Sequence, residues 1–265
     1  MKSRRLITRD QAATLDLPSR IRVEREITDA KTRQYARARP EIWELEAYVR
    51  QSPWRQSMFA FLGDVRGKTV LDLGCGYHPT AIYLAGAGAR TVLACDISAN
   101  AVAHILALAD ERGLRQRVKG VVCAAEQLPF ADDRIDLIHG EAVLHHLSMP
   151  LAAMEVARVL RAGGRAAFKD PLGENALLEF ARDYFKESAK ATDRPLTFDQ
   201  LREFSRMFRS CTYSGFGLTA TIAAPLGRRA WKRLTRLTDA LDRRVLRLIP
   251  MLGRYCQYVV TCAEK

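Results

Sequence analysis

Between residues 67 and 170 the chain alternates short apolar runs with stretches whose apolar residues recur every three or four positions, the pattern of strands alternating with helices. Strands are expected over 68–73, 90–96, 118–124, 134–140 and 164–169. These runs are apolar at nearly every position, as in a parallel sheet covered on both faces. Helices are expected over 79–86, 99–112 and 150–160, the second capped by Ser98. Residues 10–63 mix polar and apolar residues at helical spacing, with Trp43, Leu45, Ala47, Tyr48 and Phe59 available to pack on the sheet. Beyond Asn175 the pattern is helical through Lys190, and Thr197 and Gln200 then stand as a capping box. A sixth strand near 211–218 and a last one over 256–262 return the chain to its core.

The fold class is therefore α/β: a doubly wound, Rossmann-like, seven-stranded sheet with an N-terminal helical cap and a helical insertion before the last strand. Its parts are a cap over 1–66, a core over 67–172, substrate-side helices, sixth strand and lid over 173–253, and a final strand over 254–265. In the insertion, Trp231, Leu234, Leu237, Leu241, Val245 and Leu248 form one apolar stripe, with Lys232, Arg233, Arg236, Arg243, Arg244 and Arg247 mainly opposite. Such a helix lies on an anionic membrane or packs as a lid, and the lid is the expectation here.

The chain of 265 residues is 48% hydrophobic and 27% charged, ordinary for a globular enzyme. No stretch has the length and apolarity to span a bilayer, and the N-terminal residues lack the apolar core of a secretory signal, so a cytoplasmic protein is expected. Six cysteines without a Cys-x-x-Cys pair make neither a disulfide framework nor a metal site. The net charge of +12 favours acidic partners, yet much of it comes from arginines in 1–66 and 228–254, outside the core, where a solvated surface explains it equally well.

The chemistry starts at Thr69-Val-Leu-Asp-Leu-Gly-Cys-Gly-Tyr-His-Pro-Thr80. A buried strand, a turn carrying Gly74 and Gly76, and a helix started by Pro79 together make a nucleotide-type site. Asp72 lies at the strand's carboxyl end, and Asp96 ends the second strand, placed to accept hydrogen bonds from ribose hydroxyls. A dinucleotide is disfavoured: His78 or Pro79 takes the place of the third glycine.

The run from Val70 to Leu147 resembles a class I S-adenosylmethionine-dependent methyltransferase of the small-molecule, quinone-methyltransferase-like branch. The resemblance rests on five pieces in order: Val70-Leu-Asp-Leu-Gly-Cys-Gly76, Asp96, Glu126-Gln-Leu-Pro-Phe130, Ile135-Asp-Leu-Ile with Val143-Leu-His-His-Leu147, and Val159-Leu-Arg-Ala-Gly-Gly-Arg165. It implies that S-adenosylmethionine is held by Asp72, Gly74, Cys75, Gly76, Asp96, Ile97, Ala125, Glu126 and Glu141, with S-adenosylhomocysteine as product. The family's acidic residue at the adenine is Ala124 here, which leaves that contact to Ala125 and Glu126. His145, Glu141 and His146 are the candidate bases, in that order, and Tyr35, His78, His145, Asp170 and Asn175 the candidate acceptor contacts; no metal is required.

The expected activity is methyl transfer to O, C or N of a small, apolar metabolite such as a quinone, polyketide, isoprenoid or glycolipid precursor. No nucleic-acid partner is expected, since the fourth strand does not end in Asn/Asp-Pro-Pro-Tyr, although the charge keeps a nucleic-acid methyltransferase as a rival. A non-catalytic cofactor-binding subunit is a second rival, motivated by His78 and Ala124. Peripheral membrane contact would run through residues 228–249.

Overall fold

The computed structural model describes residues 16–35, 44–174, 195–219 and 228–265, and over 228–237 the backbone alone. Trp43, Asn175 and the expected helix over 175–190 lie outside the described residues, as do the side chains of Trp231, Leu234 and Leu237.

Seven strands make one sheet: β1 (Thr69–Leu73), β2 (Thr91–Asp96), β3 (Val118–Val122), β4 (Ile135–Glu141), β5 (Leu160–Pro171), β6 (Ser210–Phe216) and β7 (Tyr258–Glu264). Their order is β3-β2-β1-β4-β5-β7-β6. The first five pair in parallel, and β7 runs antiparallel between β5 and β6. The order reverses at β1, so the crevice beyond the carboxyl ends of β1 and β4 is the switch point where such sheets take ligands.

Eight helices flank this sheet among the described residues: α1 (Leu17–Tyr35), α2 (Leu45–Arg50), α3 (Pro53–Leu62), α4 (Thr80–Gly86), α5 (Ala99–Glu111), α6 (Met149–Val159), α7 (Phe198–Ser205) and α8 (Arg228–Leu248). The caps are those the sequence announces: Ser98 Oγ accepts the Ala101 N–H at 3.0 Å, and Thr197 with Gln200 closes a capping box. Two apolar layers result. Met58 and Leu62 of α3, Ile82 and Leu84 of α4 and Ile105 of α5 cover one face; Val156 of α6, Phe168 and Phe204 fill the other. Phe168 and Phe204 meet edge to face at 5.6 Å and 82°.

Four strands differ from expectation by two residues or more: β6 ends at Phe216 rather than 218, β7 spans Tyr258–Glu264 rather than 256–262, and β3 and β5 differ as follows. β3 stops at Val122 rather than 124, where the chain leaves for a turn. β5 begins at Leu160, not 164, because Leu160 pairs with Ile135 before the Gly163-Gly164 pair. A register shift between Ile135 and Leu137 absorbs the extra residues.

Candidate active site

A cavity opens where the switch point lies, bounded by the turn after β1, the ends of β2 and β4, and the inner side of α1. Its floor is set by Gly74, whose φ of +69° is a conformation that side chains disfavour. The N–H groups of Gly74 and Cys75 both donate to the Cys95 carbonyl, at 2.8 and 3.0 Å, folding the turn across the end of β2. The Gly76 N–H then donates to Asp96 Oδ2 at 2.9 Å, and the Ser98 N–H to Asp96 Oδ1 at the same distance. Asp96 therefore ties two loops together while lining the cavity. Burial pushes its carboxyl above the usual range, although the Ser98 and Gly76 amides pull the other way.

Helix α1 forms the roof. Arg20, Glu24, Thr28 and Lys31 recur along one side and line the cavity, and Arg25 and Asp29 latch that helix beside them. Arg20 Nη2 donates to the His146 carbonyl at 2.9 Å and reaches Glu126 Oε1 at 3.3 Å; buried Glu24 Oε1 is 3.0 Å from His146 Nδ1. Arg25 Nε donates to the Ile97 carbonyl at 3.1 Å, and the Ser98 hydroxyl bonds Asp29. A polar stripe at helical spacing in α1 is the signal that this helix covers a polar site rather than core.

At the opposite end, β4 delivers Glu141. Tyr48 donates its hydroxyl to Glu141 Oε2 at 3.0 Å, and Arg55 lies 3.7 Å from Oε1. Arg55 is itself clamped between the rings of Tyr48 (4.0 Å) and Trp54 (4.5 Å). Lys169, beside Glu141 in register, rests over Tyr258 at 3.8 Å, and burial pulls its ammonium below its ordinary value. Glu141 thus faces the cavity as a braced carboxylate. Beside it stand Tyr77 and His78, in ring contact with each other, and Tyr35 stacks on Tyr77 at 4.8 Å. Burial lowers the His78 imidazole, outweighing Glu141's opposite pull, so His78 is neutral at pH 7.

The candidate residues separate accordingly. Gly74, Gly76, His78, Asp96, Ile97, Ala125, Glu126, Glu141 and His146 line the cavity. Asp72 does not: its side chain points to the opposite face of the sheet, where Oδ1 lies 2.8 Å from His139 Nδ1 under Phe59. Cys75 is buried in the core on that face. His145, the first-ranked base, is turned away too; its N–H and Nδ1 both meet Asp170 Oδ1, at 3.2 and 2.8 Å, which accounts for Asp170 as well. Glu126 is committed to the Ser148 N–H (2.9 Å) and Arg20, so it braces the loop after β3 rather than offering a free acceptor to a base. His146 borders the cavity beside Leu147 and the Glu126 loop. Tyr48, Arg55 and Lys169 carried no motif, and only the fold brings them to Glu141. The Cys95 and Cys123 thiols, 2.8 Å apart, also line the wall.

A sheet switch point, a glycine turn and an acidic residue ending the second strand define an α/β domain with a nucleotide-type binding site. Residues 71–168 match the family model described as "Methyltransferase domain", and this core is similar to class I S-adenosylmethionine-dependent methyltransferases. Two curated relatives are methyltransferase GfsG of Streptomyces halstedii, 37% identical over 105 residues (39% of this chain, 38% of the relative), and the ubiquinone/menaquinone biosynthesis C-methyltransferase UbiE of Desulfotalea psychrophila, 30% identical over 151 residues (56% and 60%). The matches span about two-fifths of the length of the first curated relatives (37–40%). In three dimensions the chain resembles the geranyl diphosphate C-methyltransferase of Streptomyces coelicolor, with a TM-score of 0.56 at 17% identity over 87% of each chain.

Proposed function

We propose that this chain transfers a methyl group from S-adenosylmethionine to an oxygen, carbon or nitrogen atom of a small metabolite with an apolar body. The observation that carries the reading is a single cavity with Asp96 and the glycine turn at one place and the His78–Glu141 pair at another. Its residues fit the cofactor. The Asp96 carboxylate accepts from ribose hydroxyls, and Ile97, Cys123, Ala125 and Leu147 offer an apolar slot for a flat base. The turn at Gly74 and Gly76 lets backbone approach the amino-acid portion without a Cβ in the way. When bound, S-adenosylmethionine supplies an electrophilic methyl group on a sulfonium.

The protein's own task is positioning, water exclusion and proton removal. Helix α1 closes the site from water. His78, neutral and facing the cavity, takes the proton from a hydroxyl or amine acceptor at its unprotonated ring nitrogen. Glu141 supplies a fixed negative charge beside a cationic centre. The relatives, which include ubiquinone/menaquinone and dimethylglycine methyltransferases, support a small-molecule acceptor and lend nothing to a nucleic acid. Six free cysteines fit a reducing, cytoplasmic setting. No described helix is long and apolar enough to cross a membrane, and peripheral contact through residues 228–249 belongs to the same reading.

The test is calorimetric titration with S-adenosylhomocysteine, then methyl transfer to a panel of quinols, polyketides and prenyl alcohols. His78→Ala is expected to lower kcat on hydroxyl acceptors by roughly 10²–10⁴-fold with little change in cofactor affinity. Because His78 acts unprotonated and burial lowers it, the acid limb of kcat falls below pH ~6.5, the usual histidine value. No uptake of S-adenosylhomocysteine would sink the reading; unchanged kcat in His78→Ala would remove only the base.

A further inference from the structure

Over residues 238–248, where its side chains are described, helix α8 meets the rest of the molecule through only part of its circumference. Asp242 is buried and accepts the Thr219 N–H through both carboxylate oxygens, each at 3.2 Å, while Val245 and Leu246 are half-buried. Leu241, Arg244 and Leu248 follow at spacings of three and four and face solvent together. The stripe expected to pack as a lid is therefore partly outside: Leu241 is 53% exposed and Leu248 82%. Past the helix the chain turns at Pro250, with Ile249 and Met251 51% and 78% exposed. Single exposed apolar side chains are ordinary, but three large ones within four residues at a protruding turn mark a contact surface.

The charge around this tip says what the surface meets. Helix α8 carries eight basic residues against two acidic ones, a net +6 of the chain's +12. Arg243, Arg244 and Arg247, at the tip end, are all exposed. Asp239 faces Arg243, and Arg254 is held by Glu174 at 2.7 Å, so Arg244 and Arg247 are the cations pointing outward with Leu248. A protein partner of ordinary composition would leave this positive charge unmatched, whereas a bilayer offers hydrocarbon for the leucines and phosphates for the arginines.

We infer that Leu248, Ile249 and Met251, with Arg244 and Arg247, dock this protein on an anionic phospholipid surface. The geometry stands without the methyltransferase reading and rests on it only for the purpose, which is access to an apolar acceptor. A groove of about 1030 Å³ adjoins the tip, with Leu246, Arg247 and Pro250 on one wall and Arg50, Gln51 and Pro53 on the other. The docking surface thus borders the α2–α3 connection, whose neighbours Tyr48 and Arg55 brace Glu141.

Co-sedimentation of the full chain with vesicles tests this. Binding is expected to phosphatidylcholine vesicles containing 30 mol% phosphatidylglycerol, at least tenfold tighter than to phosphatidylcholine alone, and to weaken as salt rises. The double variants Leu248→Asp/Met251→Asp and Arg244→Glu/Arg247→Glu are each expected to lose at least tenfold while keeping S-adenosylhomocysteine affinity, which also reports that they are folded. Equal binding to both vesicle types, or unchanged binding by both variants, overturns the inference. So does a dimer in light scattering that Leu248→Asp/Met251→Asp dissociates. Loss of S-adenosylhomocysteine binding by the unaltered chain would overturn the cofactor reading and leave the vesicle result standing.

Discussion

Asp96→Ala is expected to weaken S-adenosylhomocysteine binding by roughly 10²–10³-fold, because one carboxylate serves three purposes. Its two oxygens each accept a backbone N–H at 2.9 Å, one from the glycine turn and one from Ser98. On the proposed reading the same oxygens accept from the ribose. Hydrogen bonds to a charged group are worth about 1.5–3 kcal/mol each, so losing the ribose contact and loosening the turn accounts for the expected factor. The companion Asp96→Asn separates charge from shape. Burial raises the Asp96 carboxyl, so between the ordinary aspartate value and its own the folded chain holds more protons than the unfolded chain. Stability contributed by this group therefore falls as pH rises through that window, and at neutral pH its charge is a burden on the fold. Asp96→Asn relieves that burden but sets an amide NH2 against either the Gly76 or the Ser98 N–H, leaving a buried donor unmet, so it is expected to melt below the parent as well as bind worse. Cofactor affinity should move oppositely, declining as pH falls toward the raised value and the carboxylate is lost. Calorimetry and thermal melts on the two variants check both signs; full affinity in Asp96→Ala would remove this residue from the site.

The alternation of strands and helices was legible because apolar runs and caps are local properties of the chain. Asp96 was legible for the same reason: it ends a strand, and strand ends face the crevice. Asp72 and His145 were not, because the face a side chain takes depends on neighbours far along the chain. Asp72 alternates with Leu71 and Leu73, and whether it meets the cavity or His139 is settled by the β1–β4 register, 67 residues away. His145 and His146 are adjacent, yet Asp170 takes the first and Glu24 the second, leaving only the second on the cavity wall. The bracing of Glu141 was illegible altogether, since Tyr48 and Arg55 reach it from helices that carry no motif. The apolar periodicity of α8 was legible, but periodicity does not say whether a stripe faces protein or solvent: Val245 is half-buried while Leu241 and Leu248 are exposed.

Gly74→Ala is expected to lower both stability and cofactor affinity, and the molecule contains the control that divides the two causes. Gly74 and Gly67 share a φ of +69°, the left-handed region that an L side chain enters at a cost of about 1–2 kcal/mol. Around Gly67 a Cβ would meet nothing within 4 Å, whereas at Gly74 it would lie 2.6 Å from Val143 Cγ2 and 2.9 Å from Val143 Cβ. Val143 is buried at the turn that follows β4, and because its Cβ is fixed to that backbone, it yields only by shifting the turn or moving into the cavity it borders. Overpacking of this kind adds about 1–3 kcal/mol. Gly67→Ala should therefore cost only the backbone part. Gly74→Ala should cost about 2–5 kcal/mol in all, or roughly 5–15 °C in Tm for a chain of this size. The same clash pushes the glycine turn away from the Cys95 carbonyl and Asp96, so S-adenosylhomocysteine affinity should fall at least about tenfold, which Gly67→Ala leaves untouched. Adding Val143→Ala removes the branched side chain and, in a double-mutant cycle, should return much of the steric part while the backbone part persists. A cycle showing no coupling between positions 74 and 143 would mean that the turn is shaped by something other than its contact with Val143.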